Sequence, residues 1–354
     1  LGINMKQCST TFFFIAFLFQ SGQAFGIPEY TYNTNSMTNI EITGPADQIP
    51  FGEIIKNSGS RRGISICNSN SINYTLGRIE YQPIAHWNGQ SYQASPSHPM
   101  IYLFETGISG FSFSPIGGFN ESFVPLPVKN TVVWEGSLSN NSRIASPIKV
   151  TIGVFIYKGP DRIIGSVVIP SQKMYRYACY DDVGNLQEIV NVQYNPITVN
   201  ATVSSCAPTN KIVSVEMEKI PASIIEKADA SENISLKRQS FSLQCDPNIN
   251  VYVSIVDLSD TTNKTTVSTL TADSSASGVG YAVIGLSGQR LQFGPDGSAP
   301  NIPGQQKYYI QRSGTAEKNN PISFSLGFGY VRKPEEEFKT GTANAMIGLT
   351  YSYQ

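Results

Sequence analysis

The last fourteen residues, Gly341 to Gln354 (GTANAMIGLTYSYQ), constrain the fold most. Apolar side chains fall at every second position: Ala343, Ala345, Ile347, Leu349, Tyr351 and Tyr353. Thr342, Asn344, Met346, Gly348, Thr350 and Ser352 stand between them. A period of two sends successive side chains to opposite faces, so the stretch predicts a strand with one buried and one mostly polar face. That strand needs a sheet to sit in, because loose termini fray.

The rest of the chain reads the same way. Tyr, Phe, Val, Ile, Thr, Ser and Gly dominate, and only 14% of residues are charged. Strands are expected at Leu76–Ile84, Pro99–Glu105, Thr131–Glu135, Ile148–Tyr157, Ile163–Ile169 and Met174–Tyr180, separated by turns such as Asn88-Gly89, Gly117-Gly118 and Gly159-Pro160. No amphipathic helix of three turns is visible. The charged-apolar stretch Glu216–Glu232 contains Pro221 and reads as a loop with a helical turn. The fold class is therefore all-β.

The N-terminal end reads as an export signal. Met5 is the expected start, Lys6 the positive region, and Thr10–Phe19 an apolar run too short to span a bilayer. Residues 1–24 are taken as upstream residues and signal peptide, with the mature chain starting at Phe25. The remaining 330 residues (354 minus 24) favour two domains. Removing Lys6 from 25 basic residues leaves 24 against 26 acidic ones, a balance of −2 with no basic patch. That argues against a nucleic-acid partner.

Five cysteines become four once Cys8 leaves with the signal. An even count in an exported chain points to disulfides, and four cysteines allow three pairings. Position favours Cys67–Cys179 and Cys206–Cys245, because the domain boundary falls between the two sets. The second pair closes a span of 39 residues (245 minus 206), worth roughly 4 kcal/mol on the chain-entropy model. Pro196–Ser205 (PITVNATVSS) is short, polar and extended, and reads as an interdomain linker merging into the next strand. The expected domains are 25–196 and 197–354.

The C-terminal half resembles a pilin subunit of the bacterial chaperone–usher pathway. Gly341 and the penultimate Tyr353 flank the alternating strand as in that family's C-terminal signature. Phe241-Ser242-Leu243-Gln244-Cys245-Asp246 is similar to the strand carrying its second cysteine, and Cys206 stands where it has the first. Val251–Leu258, Gly278–Leu286, Leu291–Gly294 and Ile322–Tyr330 follow in the family's order. The acidic run Glu335–Glu337 departs from it, where a small polar turn is expected. The resemblance implies an incomplete immunoglobulin-like sandwich. It also implies a strand-accepting groove lined by Gly341, Ala343, Ala345, Ile347, Leu349, Tyr351 and Tyr353. Its partners would be a periplasmic chaperone, an outer-membrane usher and a neighbouring fimbrial subunit.

By the same resemblance, residues 25–196 are expected to be the lectin-like sandwich of a two-domain tip adhesin at the cell surface, binding a host or surface glycan. The alternative is a structural minor subunit or adaptor without its own receptor. Sugar sites pair flat aromatic faces with amides and carboxylates. His86-Trp87-Asn88-Gly89-Gln90-Ser91-Tyr92 gathers those groups on an expected loop or hairpin tip. The candidate receptor residues are Phe25, His86, Trp87, Asn88, Gln90 and Tyr92, whereas Trp134 reads as core. No cofactor is expected. His86 and His98, the two histidines, would serve a zinc site only with Glu80 or Glu105. No Gly-x-Ser-x-Gly elbow, Walker loop or His-Glu-x-x-His motif occurs, so no enzyme is expected.

Overall fold

The computed structural model describes residues 26–354 apart from 58–59, 68–73, 94, 120–123, 141–147 and 318. The expected signal peptide, residues 1–24, and Phe25 lie outside the described residues. The first half carries β1 (Glu29–Asn33), β2 (Ile40–Pro45), β3 (Ile54–Asn57), β4 (Arg61–Ser65), β5 (Tyr74–Pro83), β6 (Trp87–Tyr92), β7 (Ile101–Glu105) and β8 (Phe111–Phe119). It continues with β9 (Val124–Pro125), β10 (Thr131–Asn140), β11 (Lys149–Lys158), β12 (Gly165–Ile169), β13 (Gln172–Asp181), β14 (Leu186–Tyr194) and β15 (Ile197–Ser204). The second half has β16 (Cys206–Pro208), α1 (Ala222–Lys227), β17 (Ile234–Cys245), β18 (Asn250–Asp257), β19 (Val279–Ile284), β20 (Tyr308–Arg312), β21 (Asn320–Arg332) and β22 (Ile347–Tyr353).

The chain is all-β, built as two sandwiches. In the first, a sheet ordered β1-β14-β13-β5-β10 faces a sheet ordered β3-β11-β8-β7-β6, with β4 and β9 beside it and a small β12-β15-β2 sheet at the side. One core joins all three, from Ile40 and Ile79 through Phe113 and Val154 to Tyr194 and Val199. Its centre is aromatic: Tyr81, Tyr175 and Tyr177 pack in series at 5.2 and 5.5 Å, and Phe113 bridges Phe104 and Tyr194 at 5.6 and 5.3 Å. Such rings contribute large buried areas with specific geometry. Trp134 packs against this core as expected.

The second sandwich sets the sheet β16-β17-β21-β19 against β20-β18-β22. Leu243, Val251, Ile255, Val283, Phe293, Ile322 and Leu326 fill the space between them. Disulfides join Cys67 to Cys179 and Cys206 to Cys245, each within one half. Pro221 starts the expected helical turn, α1.

The strands expected in the first half all form. Three local readings are corrected. Gly117-Gly118 is not a turn but part of β8, where a side chain on Gly117 would come within 2.6 Å of the Thr151 carbonyl on β11. The glycine lets two backbones approach rather than letting the chain reverse. Asn88-Gly89 likewise lies within an edge strand. The expected linker Pro196–Ser205 is largely β15, paired with β12 on one side and parallel to β2 on the other. Alternate residues Ile197 and Val199 are fully buried in the first core, and Ala201 is 9% exposed. A polar-looking strand thus hides an apolar face, and only Ser205 separates it from β16.

This placement predicts the effect of truncation. A fragment ending at Asn195 or Pro196 loses two fully buried side chains, each worth about 1.5–3 kcal/mol, and the middle strand of a sheet. Circular-dichroism melting should show a cooperative transition for residues 25–205. For residues 25–196 we expect no transition, or one from a fold at least about 3 kcal/mol less stable.

Candidate functional site

Two surfaces carry the sequence-predicted residues. The first is the edge of β22. This strand pairs antiparallel with β18 through Val251↔Tyr353 to Asp257↔Ile347. It ends its sheet, and among the described residues no strand pairs with its other edge. Ile347, Leu349 and Tyr351 are half-buried against the second core, Tyr353 is 1% exposed, and Met346 is 59% exposed. Val215 and Met217, on an extended segment before α1, pack on the same core. Sequence reading passed over that segment because its charges hide the alternation Val213, Val215, Met217.

The strand is shorter than expected. Gly341, Ala343 and Ala345 precede it, on a segment bound to residues 271–276: Ser275 N–H donates to the Thr342 carbonyl at 3.0 Å and Thr271 N–H to that of Asn344 at 2.8 Å. The alternation survives there, with Ala343 and Ala345 half-buried between exposed neighbours. A side chain on Gly341 would meet Ser275 Oγ at 2.4 Å and the Ala276 nitrogen at 2.7 Å. Glycine is required by this close approach.

The second surface is the edge strand β6. Trp87 pairs with Phe104, and Ser91 and Tyr92 with Tyr102 and Ile101; Asn88, Gly89 and Gln90 bulge between. The expected loop is thus a bulged edge strand, and bulges re-aim side chains. The bulge is held locally: Trp87 Nε1 donates to the Gln90 carbonyl at 2.8 Å, Gln90 N–H to Asn88 Oδ1 at 2.9 Å, and Asn88 Nδ2 to Gln90 Oε1 at 3.2 Å. Trp87 is 39% exposed and meets Tyr102 edge-on at 6.2 Å. His86 Nδ1 lies 3.1 Å from Glu105 Oε1, both exposed. Tyr92 is half-buried and packs over Gly52, where no side chain would fit. His98 instead faces Ser95 Oγ at 2.6 Å. No three His, Cys, Asp or Glu side chains converge on a metal geometry among the described residues.

Between the halves lies a polar node that sequence reading missed. Asp47, fully buried, takes hydrogen bonds from Arg162 Nη2 at 2.8 Å, Arg162 Nε at 3.0 Å, Ser298 Oγ at 2.6 Å and the Tyr353 N–H at 2.9 Å. The Arg162 guanidinium sits 4.0 Å from the Tyr353 ring centre. Beside it, Phe51, Leu103 and Tyr157 of the first half pack on Ala299 and Ile302 of the second. Lys158 is 1% exposed and donates to the Gly159 and Asp161 carbonyls. Burial pushes its ammonium down from 10.5 to about 8, and that of Lys307 likewise to about 8.

Two expectations follow. Gly341→Ala should lower stability by about 1–3 kcal/mol, read as a shift in denaturant midpoint, because the added methyl must displace backbone. The lysines depress their folded pKa, so the charged ammonium destabilises the fold below about pH 8 and the unfolded chain does not share that cost. Stability should therefore rise between about pH 8 and 10. Above about pH 10 it should fall, because burial raises tyrosines such as Tyr157 (to about 12) and Tyr175, and the fold resists their ionisation. Melting temperature against pH checks both limbs.

Residues 197–354 match the family of fimbrial proteins. The chain is 31% identical over 173 residues to the F17c-G fimbrial adhesin of Escherichia coli, and 31% identical over the same length to the F17a-G fimbrial adhesin of that organism. Each match covers 48% of this chain and 48% of the relative, so the chain spans about half the length of the curated relatives it matches. Among solved structures, the Ambient Temperature Fimbriae adhesin AtfE of Proteus mirabilis aligns with 49% of this chain and 99% of its own, at 15% identity and a TM-score of 0.37. The CupB6 tip adhesin of Pseudomonas aeruginosa aligns with 90% of this chain and 91% of its own, at 13% identity and a TM-score of 0.26. Overlaps this loose carry no conclusion about the site. Residues 197–354, which carry the edge strand β22, are thus the part of the chain that is similar to fimbrial proteins.

Proposed function

We propose that this chain is a fimbrial tip adhesin. Residues 25–196 bind a host or surface receptor, most simply a glycan, and residues 197–354 join the fibre by accepting a strand. The domain division is part of the proposal, with β15 spanning it as a shared element. In this reading a periplasmic chaperone fills the β22 edge first. An outer-membrane usher then exchanges it for a neighbouring subunit, leaving the chain at the cell-surface tip.

The observation that carries the reading is the edge of β22. Its apolar side chains turn inward while, among the described residues, no strand pairs with its second row of main-chain groups. Adding an extended segment there supplies backbone hydrogen bonds, and alternate side chains fix its register. An unfilled edge of this kind invites aggregation, which is the physical need for a chaperone.

The glycan part rests on β6. Trp87 offers a partly open ring whose N–H is already satisfied, so the face is free to stack on a sugar ring. The Asn88 and Gln90 amides and the His86–Glu105 pair border it with donors and acceptors suited to hydroxyls.

A glycan array probed with the full mature chain, its edge filled by a synthetic strand peptide, tests the reading. A bound glycan should lose at least tenfold affinity, about 1.4 kcal/mol, on Trp87→Ala with the melting temperature unchanged. Leu349→Arg should abolish peptide capture and leave glycan binding alone. A folded chain that captures the peptide but binds nothing on arrays or cells would favour a structural adaptor instead.

A further inference from the structure

The two rows of main-chain groups on β22 are not equivalent. At its ends, Leu258 N–H donates to the Met346 carbonyl at 3.0 Å, and Gln354 and Asn250 exchange hydrogen bonds at 2.9 Å. In the intervening antiparallel register the even-numbered residues therefore face β18, and Ile347, Leu349, Tyr351 and Tyr353 point their N–H and C=O groups outward. The outward row is already occupied at its C-terminal end, by the first half of the chain. Asp47 N–H donates to the Tyr353 carbonyl at 2.9 Å, Asp47 Oδ2 accepts from the Tyr353 N–H at 2.9 Å, and Arg162 Nη2 donates to the Tyr351 carbonyl at 2.7 Å.

Asp47 thus imitates one rung of a neighbouring strand, with its own N–H as donor and its carboxylate as acceptor. The imitation is rigid. Asp47 is fully buried and held by Arg162 and Ser298, and the Ala46 N–H is tied to the Ser204 carbonyl at 2.9 Å. Among the described residues, the outward groups left without a partner are the N–H and C=O of Ile347 and Leu349 and the N–H of Tyr351.

We propose that the first half acts as an end stop for the incoming strand. The strand donated by a neighbouring subunit pairs from Ile347 to the Tyr351 N–H and halts there, because the next rung belongs to Asp47. This rests on the strand-accepting reading above and adds to it a register and a length. It also ties assembly to the seating of the two halves. A strand that ran to Tyr353 would have to expel a buried carboxylate and leave Arg162 without its partner, whereas one that stops short leaves the halves docked. The occupant continues an interface already formed along the same edge, so it is an extended segment with apolar side chains at alternate positions.

Amide hydrogen exchange on the full mature chain, with and without a synthetic peptide of alternating valine and threonine, tests the stop. The expected result is at least tenfold slowing at the Ile347, Leu349 and Tyr351 amides, with those of Tyr353 and Asp47 unchanged. Arg162→Ala, once shown to be folded by an intact Cys206–Cys245 bond and a cooperative melt, should let the peptide alter exchange at Tyr353 as well. Peptide-dependent change at Tyr353 or Asp47 in the unaltered chain would overturn the stop while upholding strand acceptance. An absence of slowing from Ile347 to Tyr351 would overturn strand acceptance itself. Should Arg162→Ala fail to fold, the unaltered chain decides alone.

Discussion

A backbone amide taken out of water must find a partner, and the second half of this chain is organised around a row that, among the described residues, is only partly paired. β22 is held on one side by β18 and carries its apolar side chains into the core between the two sheets. Among the described residues no strand pairs with its other side. Ile347, Leu349 and Tyr351 are accordingly half-buried, and Val215 and Met217 pack on the same core.

The sequence exposed some of this and concealed the rest. The alternation from Ala343 to Tyr353 is visible because period two is a local property, and both disulfide pairings followed from position alone. The start of β22 was not visible. Residues 342–344 keep the alternation but bond to residues 271–276, a partner some 70 positions away that no local pattern announces. β15 was missed for a related reason. Thr198, Asn200 and Thr202 make the segment look polar, yet every second residue faces the first core. Asp47 and Arg162 stand 115 residues apart, and nothing near either one marks them as a pair. On β6, the Trp, His and amide cluster was legible as composition. Its geometry, a bulge on an edge strand rather than a loop tip, depends on pairing with β7.

The contact between the halves mixes two kinds of packing. Phe51, Leu103, Tyr157, Ala299 and Ile302 form a small apolar cluster, and beside it buried Asp47 and Lys158 with half-buried Arg162 form a charged one. Buried ion pairs are poor sources of stability against apolar alternatives, but separating one from its partner is costly. The arrangement therefore favours one seating of the halves over nearby ones. Its polar part also ends on main-chain atoms of β22, so it reads the position of the backbone and not only the side chains.

The passage from β15 to β16 has a mechanical meaning. With Ser205 as the only residue between them, there is no slack between the two sandwiches along the chain. A pull on the C-terminal sandwich enters the N-terminal one through a strand flanked on both sides, by β12 and β2. Traction along that axis loads many rungs together in shear, instead of unzipping them one at a time from a border. At the far side of Ser205, Cys206 hands the load to β17 through a covalent bond. The joint is thus built like a lap splice, strongest along the direction of its strands.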